Sequence, residues 1–326
     1  MRLDRFIRWR IPRLSRTRAQ QIVRACAFRA DGSRRRAAEL VRGGEVVLLV
    51  RRRFAEPEVP LEFRILMSDD SIVAVDKPAG LPVHPSATYH RNTLSWLLRQ
   101  RFPDGAPRIA HRLDRETSGV VLCGRHPQSE RALKIAFERR LVRKRYVAIV
   151  RGVVQLDSGV IDLPVVRSAG GLHLLMQACV AGGGRPALTR YRVLARSLRH
   201  TLLQLEPQTG RQHQLRVHLS ALGHPILGDK LYGPEGEGPF LEYIETGMTP
   251  SLEARLGHHR QALHAQTLRF SHPSQGDLVS VSAPLAADLG RLWRSLSPPS
   301  LPPPALESDS SSHRARESGY EGLELA

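Results

Sequence analysis

The stretch Arg108-Ile-Ala-His111-Arg112-Leu113-Asp114-Arg115-Glu116-Thr117-Ser118-Gly119-Val120-Val121-Leu122 constrains the fold more than any other part of the chain. A short apolar pair leads into a dense polar turn, and a β-branched apolar run leads out. That order reads as strand, tight loop, strand, with the loop held on a rigid sheet. Inside the loop an acid, Asp114, lies one residue from Arg115 and two from Arg112. Thr117, Ser118 and Gly119 offer local hydrogen bonds and permissive backbone geometry. Alone, the pattern is as compatible with a surface turn of solvated charges as with a working loop.

Charge narrows the choice of partner. The 326 residues leave room for one large domain and one small one, and a 41% hydrophobic content supplies a core. The formal net charge of +18 points to a polyanion, with nucleic acid or a membrane surface as the leading candidates. Only four of the 49 basic residues are lysines (Lys77, Lys134, Lys144, Lys230), as an Arg-favouring codon bias would produce. Such a bias replaces Lys with Arg but creates no surplus of bases over acids. Cys26, Cys123 and Cys179 are widely spaced and odd in number, which argues against a disulfide framework and suits a reducing compartment. Cysteine and histidine spacings suggest no metal site, and the adjacent His258 and His259 would project in different directions on a helix or a strand. The N-terminus is charged from Arg2 onward without an apolar signal segment, and no run reaches the length of a membrane span. A soluble cytoplasmic protein with no membrane association is expected.

Residues 1–60 carry 16 arginines against six acids, over half of the charge excess in under a fifth of the chain. Leu3, Phe6 and Ile7 have helical spacing, Ser15 can cap a second helix with Ala19, Ile22 and Val23 on its apolar side, and Asp31-Gly32 marks a turn. Glu45 to Val50 reads as a closing strand. Phe54 to Glu62, with two prolines, reads as a linker. Beyond it the pattern predicts a hairpin over 65–75, an ordered Lys77-Pro78-Ala79-Gly80-Leu81 loop, and a helix over 93–101 capped by Asn92. A helix starting at Pro127 should run to about Leu141, and Val142–Val150 reads as a strand carrying Tyr146 among basic residues. The region 154–199 is strand-rich, and 202–205 is a strand. Pro207 to Leu219 contains a Thr-Gly turn before a segment with Leu215 and Leu219 at helical spacing. Residues 262–265 and 268–273 look like a final strand pair. The tail, 297–326, has five prolines followed by a Ser/Asp/Glu-rich end, the composition of disorder.

Five segments, taken in order, resemble the RluA-type family of pseudouridine synthases: Lys77–Leu81, His111–Gly119, Lys144–Ala148, Thr209–His218 and Leu263–Pro273. The first 60 residues resemble the S4 RNA-binding module through Leu14–Gln20, Ala30–Gly32 and Gly43–Leu48, although Cys26-Ala27 stands where such modules usually place a glycine. The resemblance implies an α+β protein: a mixed, largely antiparallel sheet with flanking helices and loops over 63–290, preceded by a small S4-like α/β module.

It also implies an isomerase that converts uridine to pseudouridine in structured RNA without metal, nucleotide or redox cofactor. Ribosomal RNA of the large subunit is favoured because of the S4-like block. Asp114 matches the family's essential aspartate, Tyr146 its active-site tyrosine, and Arg211 the arginine that pairs with the aspartate. Leu215 would form the apolar wall against the base, Arg112 would enter the gap left by the flipped nucleotide, and His111 would border the substrate mainly as scaffold. Lys77 and Pro78 also read as scaffold, and structural roles are favoured for His213 and His218. Gln212 departs from the threonine usual at its position. Arg16, Arg18 and Arg24 would contact phosphates. Arg115 and Glu116 read as loop surface. A monomer with RNA as partner and no obligate protein partner is expected. Alternatives are an RNA-binding ribosome-assembly factor without turnover, the same chemistry on transfer RNA, and an Asp/Arg phosphotransferase or hydrolase. The last lacks a phosphate-cradling glycine loop.

Overall fold

The continuous apolar runs beyond the basic N-terminal segment are consumed by one large sheet. A computed structural model describes residues 1–11, 14–29, 31–50, 56–86, 88–170, 172, 174–179 and 183–297. The chain divides into two units, Met1–Glu56 and Pro57–Ala326. The expected tail and the Gly171 and Gly182 turn positions lie outside the described residues.

In the first unit α1 (Leu3–Arg10) packs on α2 (Arg16–Cys26), followed by a two-stranded antiparallel ribbon of β1 (Ala27–Phe28) and β2 (Leu48–Leu49). Ser15 caps α2, its hydroxyl accepting from the Arg18 amide at 3.1 Å. Leu3, Ile7, Ala19, Val23, Ala27 and Val41 form a small core. The expected strand over 45–50 shrinks to two residues because Glu45 holds a turn: its carboxylate accepts from the Arg42 amide at 2.9 Å and pairs with Arg35 at 2.6 Å.

The second unit runs β3 (Arg64–Ser68), β4 (Ile72–Lys77), α3 (Leu94–Arg101), β5 (Arg108–Ile109), β6 (Ser118–Gly124), α4 (Pro127–Glu138) and β7 (Arg143–Arg151). It continues with β8 (Ser158–Asp162), β9 (Val165–Arg167), β10 (Met176–Ala178), β11 (Leu188–Arg196), β12 (His200–Pro207) and α5 (Gln214–Ala221). The described part ends with α6 (Gly238–Thr246), α7 (Pro250–Leu256), β13 (Leu263–Ser271), β14 (Leu278–Ser282) and α8 (Ala287–Leu296). Strands β9 and β10 pair separately. The main sheet has the order β3-β4-β6-β13-β7-β12-β11-β8, with β5 beside β6 and β14 beside β13. Among the described residues only the β6–β13 contact is parallel, so the unit is α+β with a mostly antiparallel sheet.

Three local readings need correction. Thr93, not Asn92, caps α3: its hydroxyl accepts from the Trp96 amide at 3.3 Å, while the Asn92 amide donates to the Pro57 carbonyl at 2.8 Å. Helix α4 stops at Glu138, with Arg140 in the left-handed region at φ 61°. The two short strands expected over 262–273 are one strand, β13. A bulge between Ala265 and Thr267 interrupts its pairing with β7, and its hairpin partner is β14.

Strand β13, from the far end of the chain, lies between β6 and β7. That insertion sets the functional geometry. It places the loop preceding β6 one strand away from Tyr146 on β7, and β12, which leads into α5, borders β7 on the other side. The β6–β13 contact is close enough to require Gly119, at φ 113°, because an added Cβ would strike the Ala265 carbonyl.

Candidate active site

Asp114 sits in the loop between β5 and β6, with neighbours anchored on both sides. Leu113 is buried in a cluster with Val121, Leu81 and Leu98. His111 Nε2 accepts from the Leu122 amide at 3.0 Å, and its ring stacks on Phe137 with centroids 4.4 Å apart. Burial, followed by the nearby Lys144 charge, pushes the His111 pKa down to about 3, so the ring is a neutral prop. The buried Lys77 ammonium donates to the carbonyls of Pro78, Leu81 and Arg115 at 2.8, 2.9 and 3.1 Å. Burial and then Arg260 push its pKa down to about 7.

Arg115 and Glu116 are not loop surface. The Arg115 guanidinium lies 5.8 Å from the Tyr89 ring centroid and 5.6 Å from that of Tyr243, donating to the Tyr89 hydroxyl at 2.6 Å. Glu116 receives Lys230 through both oxygens, at 2.8 and 2.9 Å, and its carbonyl accepts from Arg260 at 3.1 Å. Thr117 accepts from Gln261 at 2.6 Å. The loop is therefore tied residue by residue to segments far along the chain.

Opposite Asp114 stands α5. Gln214 through Leu219 are all buried, so each polar side chain needs a partner. Gln214 accepts from Thr209 at 2.7 Å and from the Arg211 amide at 3.0 Å, and donates to Thr189 at 3.0 Å. His218 bonds Thr189 and the Leu163 carbonyl, at 3.0 and 2.9 Å. Arg216 donates twice to Asp229, at 2.6 and 2.8 Å, and its remaining terminal nitrogen donates to Asp114 at 3.1 Å. Asp229 is held by the Leu231 and Tyr232 amides at 2.9 and 3.2 Å. The result is a directed chain, Asp114–Arg216–Asp229, with the arginine oriented from behind.

His213, the residue before α5, has a left-handed backbone at φ 55°, unusual for a non-glycine residue. This turn carries its ring to 3.9 Å from Asp114, with Nδ1 2.7 Å from the Tyr232 hydroxyl. Burial, only partly opposed by Asp114 and reinforced by Arg216, lowers its pKa.

The electrostatics favour an ionised Asp114. Burial raises the carboxyl pKa, but the Arg216 charge, the electrostatic influence of His213, and the Arg216 hydrogen bond together hold it below the usual carboxylate value. Its side chain remains 27% accessible, so a reactant can reach it. Tyr146 packs at the seam between two hydrophobic clusters, one containing Leu113 and the other Leu215. Burial and the Asp114 charge push its pKa well up, so the phenol carries its proton at neutral pH.

Residues 71–221 match the RNA pseudouridylate synthase family. A ribosomal large subunit pseudouridine synthase D from Xanthomonas campestris is 38% identical over 305 residues, covering 90% of this chain and 88% of that one. The chain belongs to the RluA-type pseudouridine synthases. A synthase of the same description from Nitrosomonas europaea is 33% identical, covering 91% of this chain and 84% of its own. Among solved structures, human RNA pseudouridylate synthase domain containing 4 superposes with a TM-score of 0.57 at 28% identity, covering 71% of this chain and 92% of that one. Human RNA pseudouridylate synthase domain containing 1 gives 0.56 at 28% identity, covering 74% and 97%.

In this synthase the expected Asp114–Arg211 pair does not form. Arg211 lies in the turn before α5 and its Nε donates to the Pro186 carbonyl at 3.1 Å. Arg216 takes the position beside Asp114, because Asp229 fixes it there. Tyr146 lies within electrostatic reach of Asp114 and packs against the cluster that contains Leu215, and Arg112 is exposed. Sequence reading missed Arg216 and Asp229. The signal was the Arg-x-His spacing on a helix whose whole circumference is buried, since a buried arginine demands a buried acid. The three residues assigned to RNA contact, Arg16, Arg18 and Arg24, are exposed on α2.

His258 and His259 depart from expectation as well. They lie in a turn after α7, not on a regular element, and their ring centroids are 4.2 Å apart. With Glu253 they offer ligand atoms within 4.8 Å of one another, a group that could hold a cation. They make no hydrogen bond or ion pair with Asp114, and Asp288 beside them is already engaged by Arg260 at 2.6 and 2.9 Å.

Proposed function

We propose that this synthase isomerises specific uridines of large-subunit ribosomal RNA to pseudouridine, with Asp114 as the reacting carboxylate. One observation carries the assignment of Asp114: it is an accessible carboxylate kept ionised by an arginine that is itself locked in place by Asp229. The relatives named as large-subunit ribosomal synthases support the choice of RNA.

In the reaction the N1–C1′ bond of uridine breaks and a C5–C1′ bond forms. The proton displaced from C5 is balanced by one gained at N1, so no water, metal or redox partner enters. Asp114 assists departure of the base, by bonding to the sugar or by stabilising its positive charge. One carboxylate suffices because the base stays, rotates and re-bonds, whereas a retaining glycosidase must also protonate a leaving alcohol and admit water. Leu215 and Tyr146 bound the base with apolar and aromatic surface. Tyr146, protonated at rest, serves first as that surface, and can take the C5 proton only after its own proton has moved. The target must leave its stack to expose C1′ and C5, at a cost of a few kcal/mol. Arg112 enters the gap.

The first unit serves as an S4-like RNA-binding module over about residues 1–60, with Arg16, Arg18 and Arg24 on phosphates. The protein works as a cytoplasmic monomer. No helix among the described residues is long and apolar enough to cross a membrane. Site-resolved pseudouridine mapping of total RNA, in cells with and without the gene and after treatment with purified protein, tests the assignment. Loss of a ribosomal signal without the gene, restored by wild type but not by Asp114→Asn, is the expected result. An unchanged ribosomal map removes that substrate.

A further inference from the structure

An open groove of about 740 Å³ adjoins the catalytic loop, with Ile109 and Ala110 in its lining and reaching His111 and Arg112. Its walls come from three elements. Helix α3 presents Ser95 and Arg99, four residues apart and therefore on one face; α4 presents Glu130 and Lys134 in the same relation; β5 contributes Arg108. Arg99, Arg108, Arg112 and Lys134 thus meet one acid, Glu130. That acid organises the cations without cancelling them: it pairs with Lys134 at 2.6 Å and with Arg108 at 3.4 Å. Both partners remain about half accessible, at 49% for Lys134 and 55% for Arg108. His84, on the groove's rim, is pushed toward its neutral form by burial and then by the charges of Arg112 and Lys134, as a positive field would do.

None of these cations belongs to the Asp114–Arg216–Asp229 chain, and three of them have no part in the chemistry described above. A groove lined by exposed cations, one of them Arg112, two residues along the chain from the reacting carboxylate, matches a polyanionic strand entering the site, since a flipped nucleotide stays bonded to its neighbours. We propose that this groove binds the RNA strand adjoining the reacting uridine, with Arg99, Arg108 and Lys134 as phosphate-binding residues. The inference rests on the reading of RNA as substrate. Glu130 sets the reach of two of the cations, and the apolar lining residues Ile109 and Ala110 lie against sugars or bases.

The double variant Arg99→Ala/Lys134→Ala tests this, in the full chain. With RNA extending several nucleotides on both sides of the target, KM should rise roughly tenfold at about 0.1 M salt, and the slope of log Kd against log salt should flatten by about 1.4–1.8, two phosphate contacts' worth. The rate at saturating RNA should stay within about twofold. With a minimal RNA lacking those flanks, the variant should match wild type. Arg99→Lys should restore most of the binding, and Arg99→Glu should weaken it beyond Arg99→Ala. A wild-type salt slope and KM on the long RNA would overturn the groove assignment while leaving the synthase reading intact. If wild type forms no pseudouridine in any RNA tested, that reading falls, yet the salt slope measured by filter binding still decides the groove. Should the double variant fold poorly, the exposed single variant Arg99→Gln carries the comparison, with an expected flattening of about 0.7–0.9.

Discussion

Arginine does opposite work in the two units of this chain. On α2, Arg16, Arg18 and Arg24 stand in solvent, where each charge is screened and interchangeable with its neighbours. On α5, Arg216 is buried between two carboxylates, and each of its three guanidinium nitrogens donates to one of them. The first arrangement tolerates loss, and any binding to a polyanion through it would weaken as salt rises. The second makes one side chain indispensable, because removing it strands Asp229 and Asp114 in a poorly solvated pocket. Between these extremes lies Arg211, half-buried, whose guanidinium, among the described residues, bonds a backbone carbonyl through Nε.

The sharpest way to break this contrast is Asp114→Asn, which retains shape and removes charge. Turnover measured by pseudouridine mapping should fall roughly a thousandfold or more, as on removing a reacting group. RNA affinity by filter binding should change little, and appreciable turnover would remove Asp114 from its role. Next come the two arginines of the α5 segment. Arg216→Ala should cost about 3–5 kcal/mol of stability by denaturant unfolding, and abolish activity, because it leaves buried charge unpaired. Arg211→Ala should cost about 1 kcal/mol, one hydrogen bond, and keep activity within severalfold. Equal effects would erase the distinction.

The acid limb of activity offers a smaller effect. The folded Asp114 pKa lies below its ordinary value of about 3.9, so the carboxylate's contribution is complete above that pH and fades as pH falls through the folded value. The kcat/KM profile should therefore stay flat down to about pH 4, provided the fold holds. The variant Arg216→Gln should move the limb upward, because it removes the charge that favours ionisation. His213 adds no limb above about pH 6.5, its pKa being lowered and the ring neutral there. A limb near neutrality in wild type that vanishes in His213→Gln would contradict this. Least of all, Arg16→Ala/Arg18→Ala/Arg24→Ala should leave the saturated rate within about twofold and flatten the salt slope by about 2–3. An unchanged slope would exclude α2 as a phosphate-binding face.

The legibility of the site followed the range of the forces involved. Strand, loop, strand around Asp114 could be read because apolar runs and turn residues act over a few positions, and β5, the loop and β6 form where they suggest. The same holds for Tyr146 on β7, for the Ser15 cap, and for Leu215 and Leu219 facing a core. Asn92 and Thr93 show the limit of local rules: both can cap, and a distant carbonyl at Pro57 draws one of them away.

By itself the sequence determined a basic N-terminal segment, a succession of helix and strand patterns and a strand-flanked loop carrying Asp114 and Glu116, because composition and periodicity report on solvent and on near neighbours. Only the tertiary structure decided which arginine serves that acid. The choice depends on Asp229, placed behind α5 by the turn at Gly228, where φ is 78° and an added Cβ would strike the Arg260 carbonyl. Tertiary structure likewise took Arg115 and Glu116 out of solvent. Their partners Tyr243 and Lys230 lie more than a hundred residues away, and β13, inserted between β6 and β7, draws Gln261 and Arg260 against the loop. Buried charges must find counter-charges wherever the sheet brings them, and no periodicity in the chain encodes that pairing.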